Sequence, residues 1–503
     1  MLEKSIRETI IDSERMSGQL DTKTQIAFAF LVALVFILLI LNVFSYFFKS
    51  FQTLWSSSLI LIGIYLIFVF LNSVIQELGV LCWPNIFLTL MVIFHLGYYV
   101  PLQMGLVAKM QDYPAPGDRL IPFGMTLFAA AMITFEAGIL LGDWISERRK
   151  AKPLNQTTEY ELKLIFRFGI LLSFLSGLLL FIYIMQTGGI IKTFNMSYSD
   201  YIQFMSSNDP RAIATSLIFL PIGLLLVYIG IDRSNPRKSR LLSRIVILVA
   251  FLLALWQFWL GSRGTAFLLL LSFVYIRHIW VKRFEQKHII ALLVVILLVS
   301  IVLIPVIKGI RNVPVAERGS TISGVSLNPL DALVEMGGTI RPYIGFLQLF
   351  PAAGSNEYLH GKSYAIALGR IIPNIGFQIE RDSSQTYYRS NVWITQQLDP
   401  AAASIGIGLG SSGIAEPYIN FGYPGLLIFF FFLGLAIMLL ERYTIKNKSI
   451  LAVALTAFIF TATNWYIRDD IYGVIRPIAW GLISILILFF LFKRKRLENE
   501  KPQ

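Results

Sequence analysis

The residues in this chain best able to do chemistry are arginines and carboxylates at the ends of apolar blocks. Arg263 lies in GSRG (261–264), Lys308 and Arg311 in KGIRN (308–312), and Glu335 and Arg341 in EMGGTIRP (335–342). Glu416 lies in GIAEPYINFGYPG (413–425), and Arg468, Asp469, Asp470 and Arg476 in WYIRDDIYGVIRP (465–477). A guanidinium grips phosphate oxygens in pairs, whereas an ammonium acts as a point charge. Arg263 at an outer turn therefore suits an anionic group on a lipid-linked molecule, and Arg311 beside Lys308 suits a diphosphate. A carboxylate half-buried against apolar surface has its pKa raised toward neutrality, as a general base requires. Glu416 fits that description.

Each reading has a structural counterpart. Arg263 can snorkel to headgroup phosphates, and Lys308 can belong to a basic collar at a helix end. Glu335 and Arg341 can form an internal ion pair across the Gly337–Gly338 break, where glycine lets backbones approach and bend. Glu416 and Pro417 can simply start a helix, the carboxylate favoured by the dipole and proline by its fixed φ. Asp469 and Asp470 with their flanking arginines read as a salt-bridge knot; two adjacent carboxylates supply too few of the roughly six oxygens that a hard cation takes. One cysteine, Cys82, and four scattered histidines, His95, His278, His288 and His360, form no metal-ligand spacing. The expectation is thus no metal and no cofactor.

Only a membrane protein would carry these groups on such a background. Of 503 residues 56% are hydrophobic and 15% charged, against about 25% charged in soluble domains, and the mean hydropathy is +0.67. A helix needs about 20 apolar residues to cross a bilayer. That window predicts twelve spans, at 25–47, 56–75, 84–103, 120–142, 164–185, 212–231, 245–260, 264–280, 289–307, 416–440, 449–467 and 474–492. With the N-terminus in the cytoplasm, most of the 43 lysines and arginines fall in the inward segments, in runs such as RSNPRKSR (233–240) and KRKR (493–496). Short basic loops stay cytoplasmic, so the net charge of +13 needs no nucleic acid to explain it. Both termini are expected in the cytoplasm, with no cleavable signal peptide.

The predicted organisation is a cytoplasmic tail at 1–24, nine spans within 25–307, one large outer loop at 308–415, three spans within 416–492, and a basic tail at 493–503. Loops of that length are functional or disordered. Trp393, Tyr387, Tyr388 and IGFLQLFP (344–351) predict a folded domain leaning on the membrane.

In GSRG, EMGGTIRP, YLHGKSY (358–364) with RIIPN (370–374) after it, and GIAEPYINFGYPG, the chain resembles the Wzy-type O-antigen polysaccharide polymerases of bacterial inner membranes. The resemblance runs over roughly the C-terminal half. It implies an all-α polytopic fold of the GT-C class and a substrate of oligosaccharide repeat units on undecaprenyl diphosphate, joined on the periplasmic side. It implies functional roles for Arg263, Glu335, Arg341 and Glu416; with the residues read above, the expected site has Glu335 and Glu416 as catalytic carboxylates and Arg263, Arg311, Arg341 and Arg476 as diphosphate ligands. A flippase and a chain-length regulator would be its partners. The chemistry would be inverting glycosyl transfer, with arginines stabilising the departing diphosphate in place of a metal. Two alternatives stand beside it. An O-antigen ligase would use a loop histidine, for which His360 is the candidate, and a twelve-span polysaccharide or lipid transporter would show related halves and charges at the midplane.

Overall fold

The computed structural model describes residues 58–107, 120–148, 158–186, 188–197, 211–260, 263–310, 328–351, 356–369, 389–404, 408–447 and 449–499, with a few single positions between them. Among these residues the chain is helical and contains no strand. The main helices are α1 (Ser58–Phe70), α2 (Trp83–Leu96), α3 (Leu120–Arg148), α4 (Glu159–Gln186), α5 (Arg211–Gly230), α6 (Pro236–Trp259), α7 (Arg263–Ile276) and α8 (Gln286–Ile310). After them come α9 (Pro329–Met336), α10 (Ile340–Leu349), α11 (Lys362–Gly369), α12 (Ser390–Leu398), α13 (Ala415–Asn447), α14 (Ile450–Tyr466) and α15 (Ile471–Asn499).

Among the described residues, seven stretches are long and apolar enough to cross a membrane: Leu120–Arg148, Glu159–Gln186, Pro236–Trp259, Gly264–Val281, Lys287–Ile307, Ala415–Asn447 and Ile471–Leu491. Four shorter apolar helices, Ile60–Ile75, Trp83–Leu96, Phe219–Ile229 and Ile450–Tyr466, lie among them. The expected tail at 1–24 and first span at 25–47 lie outside the described residues. Helix starts follow local chemistry. Thr158 and Glu161 form a reciprocal cap on α4, each backbone N–H donating to the other side chain, at 3.0 and 3.2 Å. Asn235 accepts from the N–H groups of Arg237 and Lys238, with Pro236 at the first position of α6.

Inside a bilayer helices gain little from hydrophobic exclusion of water, so they associate through close backbone packing and hydrogen bonds. Two pairs show this. On α3 a Cβ at Gly138 would run into the Phe431 carbonyl of α13, and one at Gly434 into the Phe135 carbonyl. Gly169 and Gly230 bring α4 and α5 together in the same way, with Val227 N and Phe166 N each 2.6 Å from the missing Cβ. Toward the basic end of the bundle, Arg442 donates to Asp143 at 2.6 Å and to the Gln76 carbonyl at 2.8 Å, and Lys446 donates to the Ser146 carbonyl at 2.6 Å. Tyr275 on α7 donates to Glu441 on α13.

The opposite end carries the long 308–415 segment, and its described parts pack down on the helix ends. α10 is buried from Pro342 to Leu347, and the Tyr343 hydroxyl donates to the Gly124 carbonyl of α3 at 2.6 Å. Phe346 and Phe350 meet Trp393 of α12 at ring-centroid distances of 6.1 and 5.5 Å. The expected glycine bend is present as a 3₁₀ turn, Gly337–Thr339, where a Cβ at Gly337 would strike the Tyr98 amide. Tyr387 and Tyr388 lie outside the described residues.

α13 is broken near its start. Gly422 has φ 68° and ψ −158°, a region essentially restricted to glycine. Pro424 has no N–H, so the Asn420 carbonyl cannot take its usual helical donor. The YLHGKSY segment supplies the missing donors. The Leu359 amide donates to the Ile419 carbonyl and the His360 amide to the Asn420 carbonyl, both at 2.9 Å. The Gly361 amide donates to the Asn420 side chain at 3.1 Å. Two motifs separated by some fifty residues in sequence are therefore one structural unit.

Candidate active site

Two polar groups of residues form at the loop-bearing end. The first closes an otherwise apolar cavity of about 310 Å³ between α6, α7 and α8. Phe251 and Phe258 of α6, Phe267, Leu271 and Val274 of α7, and Leu292, Val295, Ile296, Leu303 and Ile304 of α8 form its walls. Glu335, Asn464 and Arg468 are its polar lining, with Gly264 and Phe94 beside them. The Arg468 guanidinium stands over the Phe94 ring at 5.5 Å. Asn464 is fully buried. Its amide nitrogen donates to the Phe460 carbonyl at 2.8 Å, and its Oδ1 has no hydrogen-bond partner. Phe251 and Val295 remain 45% and 54% exposed, so the cavity opens sideways between α6 and α8 onto the surface that the bilayer covers.

The second group is a buried hub where α11, α12, α13 and α15 meet. Glu416, 1% exposed, accepts from the Ile471 amide at 2.9 Å and from the Ser363 hydroxyl at 3.3 Å. Ser363 in turn accepts from Asn420 at 2.8 Å. Glu416 thus caps the start of α15 from the first turn of α13. The buried hydroxyls of Tyr364 and Tyr466 stand close enough to feel its charge.

Asp470 accepts from the Ser390 hydroxyl at 3.2 Å, the Asn391 amide at 3.1 Å and the Gly473 amide at 3.1 Å. Asp469 accepts from Trp465 Nε1 at 2.6 Å and Asn391 Nδ2 at 2.9 Å. Burial first, and the neighbouring Asp470 second, push the Asp469 carboxyl up to about 7. Asp470 is also raised by burial, while the Asn391 and Gly473 amides and the Arg389 charge pull it back. The donors seen on the two carboxylates are backbone amides and the side chains of Ser390, Asn391 and Trp465, with the Arg389 charge acting on Asp470, in place of the expected salt bridges to the flanking arginines.

The sequence candidates divide between these places. Glu335 lines the cavity, and Glu416 sits in the hub. Arg341 forms its ion pair with Asp399 at 3.6 Å and donates to the Leu398 carbonyl at 3.3 Å, so it ties α10 to the end of α12. Arg476 lies partly buried on α15, inside its second turn. Arg263 opens α7, next to the cavity residue Gly264; its side chain, like the whole of Arg311, lies outside the described residues. His360 has an exposed ring and a left-handed backbone, φ 48°, and acts through its amide. Among the described residues no group of three or more His, Cys, Asp and Glu is placed to hold a metal ion.

Three participants were not singled out from the sequence. Asn464 carries no local signal, since one amide in an apolar helix reads as a structural residue. Asp399 is separated from Arg341 by most of the loop. His95 accepts at Nε2 from the Ser412 hydroxyl (2.9 Å) while its Nδ1–H donates to the Met91 carbonyl (3.1 Å), so this neutral tautomer orients the serine that caps α13.

The fold and site together define a multi-pass helical membrane protein in which Glu335, Glu416, Asp469, Asp470, Arg341 and Arg468 lie at the end that carries the long loop. The chain belongs to the O-antigen polysaccharide polymerase Wzy family, whose family model matches residues 26–499. Membership implies a polymerase of glycosyltransferase type that works on lipid-linked polysaccharide repeat units. No curated protein and no solved structure matches the chain.

Proposed function

We propose that this protein joins oligosaccharide repeat units carried on undecaprenyl diphosphate, by metal-independent inverting transfer at the periplasmic face of the inner membrane. The observation that carries this reading is the cavity in which Glu335 and Arg468 share one end of a long apolar wall. A reaction on a lipid-borne glycan needs such a place, with charge at the membrane surface and hydrocarbon below it. Glu335 is the general base that takes the proton from the acceptor hydroxyl as that oxygen attacks the anomeric carbon, and the carrier diphosphate leaves with the bonding electrons. Arginine charge stabilises the departing diphosphate, with Arg263, Arg311 and Arg476 as ligands. Arg341 serves through its ion pair, and Glu416 positions α15 rather than meeting substrate.

The chain has twelve spans in a GT-C-like plan, with both termini cytoplasmic and 308–415 periplasmic. It receives its substrate from a flippase and is paced by a chain-length regulator. The decisive experiment deletes the gene and separates the surface glycan on a gel beside a complemented strain. Collapse of the ladder to a single repeat unit supports the polymerase. Long chains accumulating on the lipid carrier would indicate a ligase, and an unchanged ladder would overturn the reading.

A further inference from the structure

Far from the loop-bearing end, the middle of the bundle holds a carboxyl group that the polymerase reading does not use. Glu136 lies about 24 Å along α3 from Leu120 and about 18 Å from Arg148, at 1.5 Å per residue. It is 0% exposed, and an ionisable group at such a depth is costly to keep and rarely idle. Among the described residues it makes no ion pair: Arg442 is taken by Asp143, about two turns further along α3. A change of helical pitch brings a partner to it instead. After the apolar run of α1, Leu71–Ile75 forms a π-helical turn, wider than an α turn and frequent at functional positions. That turn carries Asn72, also 0% exposed, whose Nδ2 donates to Glu136 Oε2 at 3.2 Å. Glu136 Oε1 and Asn72 Oδ1 are left over, both buried and both without a partner. Gln76, at the next turn, supplies no donor, since its Nε2 is partnerless as well. Two stranded acceptors are unfavourable, and an ionised carboxylate without a counter-charge in a membrane interior is more so. One hydrogen on Oε1 removes both penalties, because a carboxylic acid keeps an acceptor oxygen and gains an O–H donor.

We propose that Glu136 and Asn72 form a proton-holding site, in which Glu136 carries a hydrogen on Oε1 and donates it to Asn72 Oδ1. With the bond from Asn72 Nδ2 this closes a reciprocal acid–amide pair that joins α1 to α3. The ligand is a proton and not a metal ion, since the Asn72 amide already turns its N–H hydrogens toward the carboxyl group. The π turn then has a reason: it aims Asn72 at α3. Being neutral, the pair is not pulled by the transmembrane potential, which acts on charge. It stands apart from the transfer chemistry at the loop end and does not depend on the polymerase reading.

The test compares infrared spectra of the full chain in nanodiscs at neutral pH with those of Glu136→Gln. The difference should contain the C=O stretch of a protonated carboxylic acid, every other buried acid being common to both proteins and cancelling. A carboxylate stretch in its place overturns the proposal. Melting midpoints give a second readout. Glu136→Gln keeps an N–H donor for Asn72 Oδ1 and should melt where the native protein does, whereas Glu136→Leu strands Asn72 and should melt lower. A midpoint for Glu136→Gln well below the native one would mean that the site needs charge, and overturns the proposal. If Glu136→Leu yields no folded protein, the exchange variant Asn72→Asp/Glu136→Gln decides. It swaps acid and amide across the pair, and relative to Glu136→Gln alone it should regain the protonated-acid band at the native midpoint. An exchange variant without that band overturns the pair.

Discussion

Glu335 and Glu416 are both acids at helix ends near glycines, yet their surroundings give them different work. Glu416 has its oxygens engaged by Ile471 and Ser363, while Glu335 borders the cavity. Glu335→Gln should therefore lower polymer formation by about 10²-fold or more, the usual scale for a lost general base, at unchanged protein level. Glu416→Gln should cost far less activity, because an amide oxygen can still cap α15. Glu416→Ala should reduce the amount of folded protein, since stranding a buried donor costs about 1–3 kcal/mol. Activity of each variant per unit of membrane protein checks this, and the reverse ranking would exchange the two roles. Asp469 gives a pH signature. Its folded pKa of about 7 exceeds an unfolded value of ~3.9, so the folded state holds the proton more tightly. The resulting stability is complete below about pH 4 and fades as pH rises to about 7. The melting temperature in detergent should decline across that window, and Asp469→Asn should flatten the decline.

Helix boundaries show what a hydropathy pattern can and cannot reveal. The span expected at 120–142 continues to Arg148, and that at 416–440 continues to Asn447, because backbone hydrogen bonding does not stop where hydrocarbon does. The span expected at 84–103 ends at Leu96, followed by a separate turn at Tyr99–Gln103. Apolar composition alone did not mark that interruption. Residue type marked the Gly337 turn, since glycine carries local backbone information. The pairing of Arg341 with Asp399, of His95 with Ser412, and of the His360 amide with Asn420 was invisible, because each depends on long-range geometry that one sequence does not encode locally. The Gly422 break makes its own prediction. Gly422→Ala forces a Cβ into a glycine-only conformation, 3.2 Å from the Tyr358 ring, and should destabilise by about 1–3 kcal/mol. Thermal unfolding of purified protein should show this as a lower midpoint, and an unchanged midpoint would mean that α13 straightens without penalty.

For the molecule as a whole, the proposed sidedness is directly measurable. Cys82 is the single cysteine and is buried, so Cys82→Ser provides a background without thiols. In that background Gln396→Cys on α12 should react with a membrane-impermeant maleimide on intact cells, and Ser234→Cys beside α6 should react only after lysis; both positions are exposed. The opposite pattern would invert the topology. The side opening between Phe251 and Val295 changes how encounters should be counted. A carrier that slips in from the plane of the bilayer never passes through water, so its arrival is a two-dimensional search. Turnover should then follow the number of carriers per unit area of membrane: diluting the protein's own membranes with empty lipid should slow it, and adding buffer to the same vesicles should not.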